Sequence, residues 1–324
     1  MNRLQTGRGP SELKQTSADS VVGFEISPLL PTLDPFGVGF PNIGQSARIA
    51  ESLGFRRLWS GDHLAFRVPL LESALVLASA AAATSTIQLG FSVYLLAMRQ
   101  RVHAAKQIAT LQVLSQNRIV LGVGVGGEEA SEWWAAGVDP SIRGARTDEM
   151  LATLPALIRG EEFDVDGPAE GARTRLEPAV PVPPIWIGGR SKAALSRAAR
   201  FGDVWLGAFC RPSDITRAKD ELAAQAAQLG KVPPPAAMTV FASFSESKSQ
   251  AVEWAQTATG NQYRTAWSAM APYVLTGNAS EVAAGLQKYA EQDLQSISVV
   301  LLAPNTEWST QVEQLRLASS QIGL

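Results

Sequence analysis

The strongest constraint on the fold is a regular alternation of short apolar runs and longer helical runs along most of the chain. Eight apolar runs resemble buried strands, and a helix-like run follows each of them. The predicted strands are residues 21–27, 55–60, 87–93, 118–125, 185–187, 203–208, 237–244 and 296–302. This alternation within 324 residues, without a composition change between the halves, predicts a parallel (β/α)8 TIM barrel, an α/β fold.

The spacing also predicts how this barrel is organised. A doubly wound sheet would alternate in the same way, but no GxGxxG motif follows the first predicted strand. An insertion follows the fourth strand, and a long loop rich in proline, glycine and charge (residues 160–183) precedes the fifth. We expect one barrel domain over residues 21–324 and a disordered tail over residues 1–20.

The ends of the second to fifth predicted strands carry polar or glycine-rich residues. In TIM barrels the functional site lies at the carboxyl ends of the strands. These ends are Asp62-His63, Ser92-Val93, the run Gly124-Val125-Gly126-Gly127, and Gly188-Gly189-Arg190-Ser191. A titratable pair, two polar or glycine-rich rims and an anion-binding turn would therefore face one cavity.

The turn Gly188-Gly189-Arg190-Ser191 favours phosphate binding. Here a short apolar strand ends in two glycines, and Ser191 begins a helix. Such a turn presents unpaired backbone N–H groups at the positive end of the helix dipole, and an anionic oxygen can approach the glycines closely. Arg190 would add positive charge. A tight turn in which Ser191 is only the N-cap of the helix accounts for these residues equally well.

Composition excludes several classes of function. Charged residues make up 18% of the chain, its net charge is −2, and no dense basic cluster indicates a nucleic-acid partner. Its one cysteine, Cys210, forms no disulfide framework within the chain, and two histidines are too few to predict a metal site. No run has the pattern of a membrane span or a signal peptide, so we expect a cytoplasmic protein.

Four blocks of the chain resemble one protein family. They are AESLGFRRLWSGDHL (residues 50–64), the stretch from IQLGFSVYLL to RIVLGVGVG (residues 87–126), RGARTDEML (residues 143–151) and PPIWIGGRSKAALSRAARFGDVWL (residues 183–206). In this order and spacing they resemble the bacterial luciferase-like monooxygenase family. The resemblance implies a luciferase-like TIM barrel that uses FMN or the deazaflavin coenzyme F420.

The resemblance also implies where the cofactor would bind. The phosphate would lie at Gly188, Gly189, Arg190 and Ser191, and the Ser92-Val93 peptide would back the ring, often through a non-prolyl cis bond. Relatives either insert oxygen with reduced FMN from a separate flavin reductase or transfer hydride with coenzyme F420. The short barrel resembles the second group slightly more, although Gly127 stands where some of its members carry an acid.

His63 is the candidate catalytic residue. An imidazole at the carboxyl end of a strand can give or take a proton near neutral pH, or it can simply hydrogen-bond the cofactor or the loop. Asp62 could orient His63 or cap the loop, and we favour the cap. Asp62, Val125 and Gly126 complete the expected cofactor site.

The other chemically interesting residues have structural interpretations as well. Trp133 and Trp134 could line a substrate pocket or bury the insertion against the barrel. The acidic residues beside them (Glu128, Glu129 and Glu132) are expected to be solvated. Glu25 is a remote candidate acid whose register in the first strand is unknown. Cys210 is expected to be a small buried residue.

The sequence leaves the partners and one rival function open. A small-molecule substrate is expected, but the segments that would select it (residues 28–41, 127–145 and 260–278) do not identify it. An exposed apolar helix face over residues 70–83 would suit a homodimer. The rival function is a non-catalytic binding or accessory protein of the same family, which would have an occluded pocket.

Overall fold

The strands and helices are taken from a computed structural model that describes residues 23–127, 129–165 and 171–324. The strands are β1 (Glu25–Pro28), β2 (Arg57–Ser60), β3 (Gln88–Phe91), β4 (Ile119–Val123), β5 (Phe163–Asp164), β6 (Arg173–Thr174), β7 (Ile185–Gly188), β8 (Val204–Ala208), β9 (Ala236–Phe244), β10 (Val274–Gly277) and β11 (Ser296–Leu301). The helices are α1 (Ile43–Ser52), α2 (Ser73–Ala83), α3 (Arg101–Ser115), α4 (Ala130–Ala135), α5 (Arg143–Ile158), α6 (Lys192–Phe201), α7 (Pro212–Gln228), α8 (Lys248–Tyr263), α9 (Trp267–Met270), α10 (Ala279–Ala290) and α11 (Trp308–Gln321). The predicted tail, residues 1–20, lies outside the described residues.

Eight of these strands form a parallel barrel. Their order around the sheet is β1, β11, β9, β8, β7, β4, β3, β2. A parallel bridge between Leu29 and Trp59 joins the two ends of this order, and the Leu30 N–H donates to the Trp59 carbonyl at 2.7 Å. The predicted (β/α)8 barrel is therefore confirmed.

Three short strands were not predicted. The loop expected over residues 160–183 contains the antiparallel pair β5–β6, and β10 lies within the expected loop over residues 260–278. β10 pairs with the carboxyl end of β9, which extends beyond the residues that pair with β8. These short strands lie in segments rich in loop-forming or polar residues, without the apolar run that marks the barrel strands.

Large side chains fill the inside of the barrel. The rings of Trp59 and Trp186 lie 5.1 Å apart, and both are almost fully buried. A Cβ at Gly90 would lie 2.3 Å from the Trp59 ring, so the neighbouring strand can carry no side chain there. Side chains therefore fill the interior of the barrel below the carboxyl ends of the strands.

A buried ion pair closes the amino-terminal end of the barrel. The Arg57 guanidinium lies 4.7 Å from the centre of the Trp186 ring and is hydrogen-bonded to the Glu25 carboxylate. Its Nη2 also donates to Gln88 Oε1 at 2.7 Å. Glu25 thus lies at the amino-terminal end of the barrel, away from the cavity at the carboxyl ends of the strands. The suggestion that Glu25 is a catalytic acid was therefore wrong.

A second apolar layer separates the strands from the surrounding helices. α2 packs between α1 and α3 and buries Val76 and Leu77. Among its large apolar side chains only Leu75 is exposed, at 71%. The expectation of an exposed apolar helix face over residues 70–83 was therefore wrong, because the apolar side chains of α2, apart from Leu75, pack inside the protein.

Glu51, near the end of α1, holds the turn between α2 and β3. Its Oε1 accepts hydrogen bonds from the amides of Ser85, Thr86 and Ile87 at 3.0, 2.7 and 3.0 Å. Partial burial raises the pKa of Glu51, but these backbone hydrogen bonds outweigh it and lower the pKa to about 2.

Candidate active site

A cavity of about 700 Å³ opens at the carboxyl ends of the barrel strands. All ten residues selected from the sequence line it. They are Asp62, His63, Ser92, Val93, Val125, Gly126, Gly188, Gly189, Arg190 and Ser191. The cavity also has a volume that suits a small-molecule or cofactor site.

The Ser92–Val93 turn forms part of the cavity floor. The Ser92–Val93 peptide bond is cis. A Cβ at Gly124 would lie 2.1 Å from Val93 Cγ2, and one at Gly188 would lie 2.8 Å from Val93 Cγ1. Glycine at the ends of β4 and β7 therefore makes room for the Val93 side chain.

The turn between β7 and α6 is an open helix N-terminus. The Ser191 hydroxyl accepts a hydrogen bond from the Ala194 amide at 3.2 Å, which makes Ser191 the N-cap of α6. The remaining amides of the first helical turn have no partner within the helix. Gly189 has a φ of +118°, which favours glycine, and its carbonyl accepts from Trp205 Nε1 at 2.7 Å.

Arg143, the first residue of α5, brings a second group to the same part of the cavity. Its Nη1 donates to the Pro140 carbonyl, while its buried Nε has no hydrogen-bond partner among the described residues. The next residue, Gly144, contacts α6, because Arg197 donates to the Gly144 carbonyl at 3.2 Å. A buried N–H without a partner is costly, and Arg143 lines the cavity, so its guanidinium is a candidate donor to an anion bound there. The RGARTDEML block contained this residue, but nothing in it marked Arg143 as unpaired.

His63 is held by a carboxylate that the sequence interpretation placed in solvent. Its Nδ1 lies 3.0 and 3.2 Å from the two carboxylate oxygens of Glu132. The Leu64 amide donates to the same carboxylate at 3.1 Å. The Glu132 side chain is 0% exposed and that of His63 is 18% exposed. The expectation of a solvated Glu132 was wrong, because α4 turns this residue inward toward the end of β2.

Asp62 holds the loops around the site. Its carboxylate accepts hydrogen bonds from the Ser73 hydroxyl and the Leu95 amide, both at 2.8 Å. Arg99 adds two more, at 2.6 and 2.8 Å. Burial lowers the pKa of Arg99, but the neighbouring Asp62 carboxylate raises it by more. Glu132 rather than Asp62 therefore orients His63, and Asp62 has the capping role that the sequence favoured.

Four aromatic residues line one side of the cavity, and we call them the aromatic wall. They are Phe66, Phe209, Phe241 and Tyr263. The sequence interpretation missed all four, because they lie in loops or near element ends where no periodicity distinguishes them. Phe66 stacks on the His63 ring, with ring centres 4.0 Å apart.

The remaining candidates have structural roles. Trp133 is fully buried in the apolar core, whereas Trp134 is 62% exposed. Glu129 forms an ion pair with Arg67 at 2.9 Å, and Glu128 lies outside the described residues. Cys210 is buried, as expected, and burial raises the pKa of its thiol.

The described ranges contain neither a metal-binding cluster nor a membrane-spanning helix. Residues 23–127, 129–165 and 171–324 contain no group of three or more His, Cys, Asp or Glu side chains placed to hold a metal ion. Within the same ranges, none of the helices combines the length and the apolar character that crossing a bilayer requires.

The fold and the position of the cavity define a TIM-barrel protein with its site at the carboxyl ends of the strands. The family model described as luciferase-like monooxygenase matches residues 27–301. The chain therefore belongs to the luciferase-like monooxygenase family, whose members are oxidoreductases and monooxygenases.

Known proteins resemble the chain to different extents. A phthiodiolone/phenolphthiodiolone dimycocerosates ketoreductase of Mycobacterium tuberculosis is 31% identical over 156 residues, which is 46% of this chain and 40% of that protein. The chain spans about half the length of the curated relatives that it matches, between 40% and 58%.

Solved structures match over nearly the whole fold. An F420-dependent secondary alcohol dehydrogenase, in complex with an F420-acetone adduct, has a TM-score of 0.72 and 17% identity, over 90% of this chain and 97% of the other. The oxygenating constituent of 3,6-diketocamphane monooxygenase of Pseudomonas putida, in complex with FMN, has a TM-score of 0.74 and 16% identity, over 93% and 98%.

Proposed function

We propose that this chain is an oxidoreductase that binds a phosphorylated flavin-type cofactor in the barrel cavity and acts on a small organic substrate. The observation that carries the proposal is a shared cavity. Three features line or support this cavity: the open N-terminus of α6, the Arg143 Nε, which has no hydrogen-bond partner among the described residues, and the His63–Glu132 pair.

The lining fits the phosphate of such a cofactor. Gly188, Gly189, Arg190 and Ser191 would hold it with backbone amides and the helix dipole. The Arg143 Nε would supply a charged hydrogen bond from the other side, and binding would remove the cost of leaving this donor unpaired.

The ring system of the cofactor would rest against the floor of the cavity. The Ser92–Val93 turn would lie behind the ring, and Val125 and Gly126 would border it. Gly126 has a φ of +62°, and a Cβ there would lie 3.1 Å from Leu95, so this border needs a residue without a side chain.

His63 would move the proton that accompanies the redox reaction. The bound cofactor would supply the redox chemistry itself. The Glu132 carboxylate accepts the Nδ1–H of His63, which leaves Nε2 of the neutral ring as a proton acceptor. The same carboxylate stabilises the ring once Nε2 is protonated. His63 could therefore take a proton from an alcohol or return one to a carbonyl oxygen.

We favour hydride transfer with coenzyme F420 slightly over oxygen insertion with reduced FMN. Similarity to a ketoreductase and to an F420-dependent alcohol dehydrogenase supports this order. Similarity to an FMN-binding monooxygenase keeps the second activity open, and that activity would need a separate flavin reductase as a partner. The cavity does not favour the non-catalytic alternative, which predicts an occluded pocket.

Cofactor titration tests the proposal. The purified protein would be titrated with FMN and coenzyme F420, and in parallel with riboflavin and the dephosphorylated deazaflavin. We expect at least one phosphorylated cofactor to bind, and its dephosphorylated form to bind at least tenfold more weakly. Tight FMN binding with none for F420 would reverse our ranking. If neither cofactor binds, the proposed function is wrong.

Two variants locate the phosphate in this cavity. Arg143→Gln should weaken binding of the phosphorylated cofactor at least tenfold and leave the dephosphorylated form unchanged. Arg159→Gln removes a matched charge on the surface, where Arg159 pairs with Glu161, and should change neither affinity. Equal losses for both cofactor forms in Arg143→Gln would show that the phosphate binds elsewhere.

A further inference from the structure

The aromatic wall is a continuous surface that begins at the candidate catalytic histidine. Ring centres are 4.0 Å apart between His63 and Phe66, and 6.4 Å apart between Phe66 and Tyr263. Tyr263 then contacts Phe209 edge-on at 5.6 Å, and Phe209 stacks on Phe241 at 4.9 Å. A molecule lying along this surface would therefore have one end beside His63.

Phe209 is fixed in an unusual backbone conformation within this wall. Its φ is +52°, in the left-handed region that bulky residues rarely adopt. Arg190 donates from Nη1 to the Phe209 carbonyl at 2.9 Å, and Tyr273 contacts the Phe209 ring edge-on at 6.0 Å. Such conformations persist where the surroundings enforce them, and they concentrate at ligand sites.

Charge is distributed unevenly around the cavity. Its charged or titratable lining residues are Asp62, His63, Arg143, Arg190 and Arg197. Asp62 is neutralised by Arg99, and Arg197 by Asp148. Arg143 and Arg190 belong to the proposed phosphate site. Within the described part of the chain, Arg190 is the lining cation that contacts the aromatic wall, and it does so at Phe209, the end away from His63. The rings at the His63 end carry no charge, so an anion buried there would lose its hydration without compensation.

We propose that the aromatic wall is the substrate subsite, and that it accepts uncharged aromatic or other apolar carbonyl compounds and the corresponding alcohols. That the bound compound is a substrate rests on the proposed oxidoreductase function. The wall selects for a flat apolar body by ring contact, and it places the carbonyl or hydroxyl end next to His63. Compounds with a phosphate or a carboxylate at the end beside His63 are disfavoured, because the aromatic rings there carry no charge that would replace the hydration of the anion.

A matched pair of probes tests this selectivity. 2-Acetonaphthone and 2-naphthoate share the same ring system, and only the second is charged. Binding would be measured by calorimetry with excess inorganic phosphate in every sample, so that naphthoate does not report on the phosphate site. We expect the ketone to bind at least tenfold more tightly than the carboxylate. Equal affinities would refute the proposal.

Variants place the ketone on the wall. Phe209→Ala should weaken ketone binding about tenfold, and Phe209→Leu and Phe241→Leu should each weaken it severalfold through loss of ring contact. Phe201→Ala is the matched control, since Phe201 is also half-buried but lies at the end of α6 and outside the cavity lining. Circular dichroism would confirm that each variant is folded.

The outcomes separate this proposal from the proposed function. If the folded Phe209 and Phe241 variants bind the ketone like the wild type, or Phe201→Ala loses as much affinity, the subsite is wrong. Cofactor titration on the same samples gives the second result. If the ketone binds but neither FMN nor F420 does, the apolar subsite is supported and the oxidoreductase function is wrong. If a cofactor binds but the ketone does not, the oxidoreductase function is supported and the subsite is wrong.

Discussion

Replacing His63 with alanine should destabilise the folded protein even when no cofactor is bound. The Glu132 carboxylate is fully buried, and its hydrogen bonds come from His63 Nδ1 and from the Leu64 amide. His63→Ala leaves only the amide, so the carboxylate loses most of what compensates for its burial. The variant therefore tests the contact without depending on the proposed reaction.

The structure sets the size of the expected effect. Removing a hydrogen-bond donor from a buried carboxylate costs about 3 kcal/mol or more of unfolding free energy. The His63 side chain is 18% exposed at a cavity wall, where water can replace part of it, so we expect about 2–3 kcal/mol. Glu132→Gln keeps an acceptor oxygen and should cost about 1–1.5 kcal/mol. The double variant lacks the unpaired carboxylate, so it should be less destabilised than the sum, by about 1–2 kcal/mol.

Urea denaturation of the cofactor-free protein at pH 7, followed by tryptophan fluorescence, measures these values. His103→Ala is the control, because His103 is exposed and only its backbone amide, not its ring, forms a hydrogen bond to Gln100. Two results would show that the His63–Glu132 contact does not stabilise the fold. One is that the changes in unfolding free energy of the single variants add up to that of the double variant; the other is a His63→Ala protein within about 0.5 kcal/mol of wild type.

Three further variants test other parts of the structure. Gly188→Ala would place a Cβ 2.8 Å from Val93 Cγ1, so it should cost about 1–3 kcal/mol in urea denaturation and weaken cofactor binding; unchanged values would contradict the close approach. Asp62→Asn leaves Arg99 with only the more distant Glu72 carboxylate among the described residues, at 3.5 Å, and should lower stability by about 3 kcal/mol; thermal unfolding close to wild type would contradict this. Glu51→Gln should cost about 1 kcal/mol at pH 7 and pH 5, after discounting for solvent exposure. Because the native pKa of Glu51 is about 2, below its ordinary 4.5, this difference should narrow as the pH falls from 4.5 toward 2; a constant difference down to pH 3 would refute the assignment.

The barrel and its cavity could be predicted because they depend on features that repeat along the sequence. Strand and helix periods gave the (β/α)8 order, and the carboxyl ends of the strands gave ten residues that line one cavity. The boundaries shifted by only a few residues at most strands. β10 shows the limit, since its pairing with the carboxyl end of β9 defines this strand rather than an apolar pattern of its own.

Residues whose role depends on tertiary contacts could not be predicted. Glu132 stands in an acidic run that is typical of a solvated surface, and only its position on α4 reveals the contact with His63. Nothing in the sequence indicates that the Arg143 Nε is buried without a hydrogen-bond partner among the described residues. The ring contacts of Phe209 likewise depend on a positive φ that is rare for phenylalanine.

The filled interior of the barrel constrains the kinetics of any reaction in the cavity. Trp59, Trp186 and the Glu25–Arg57 pair close the amino-terminal end, so ligands enter and leave at the carboxyl ends of the strands. A cofactor whose ring rests on the Ser92–Val93 turn would lie deeper than a substrate on the aromatic wall. Binding should then be ordered, with the cofactor first, and excess substrate should inhibit by occupying the entrance before the cofactor has arrived.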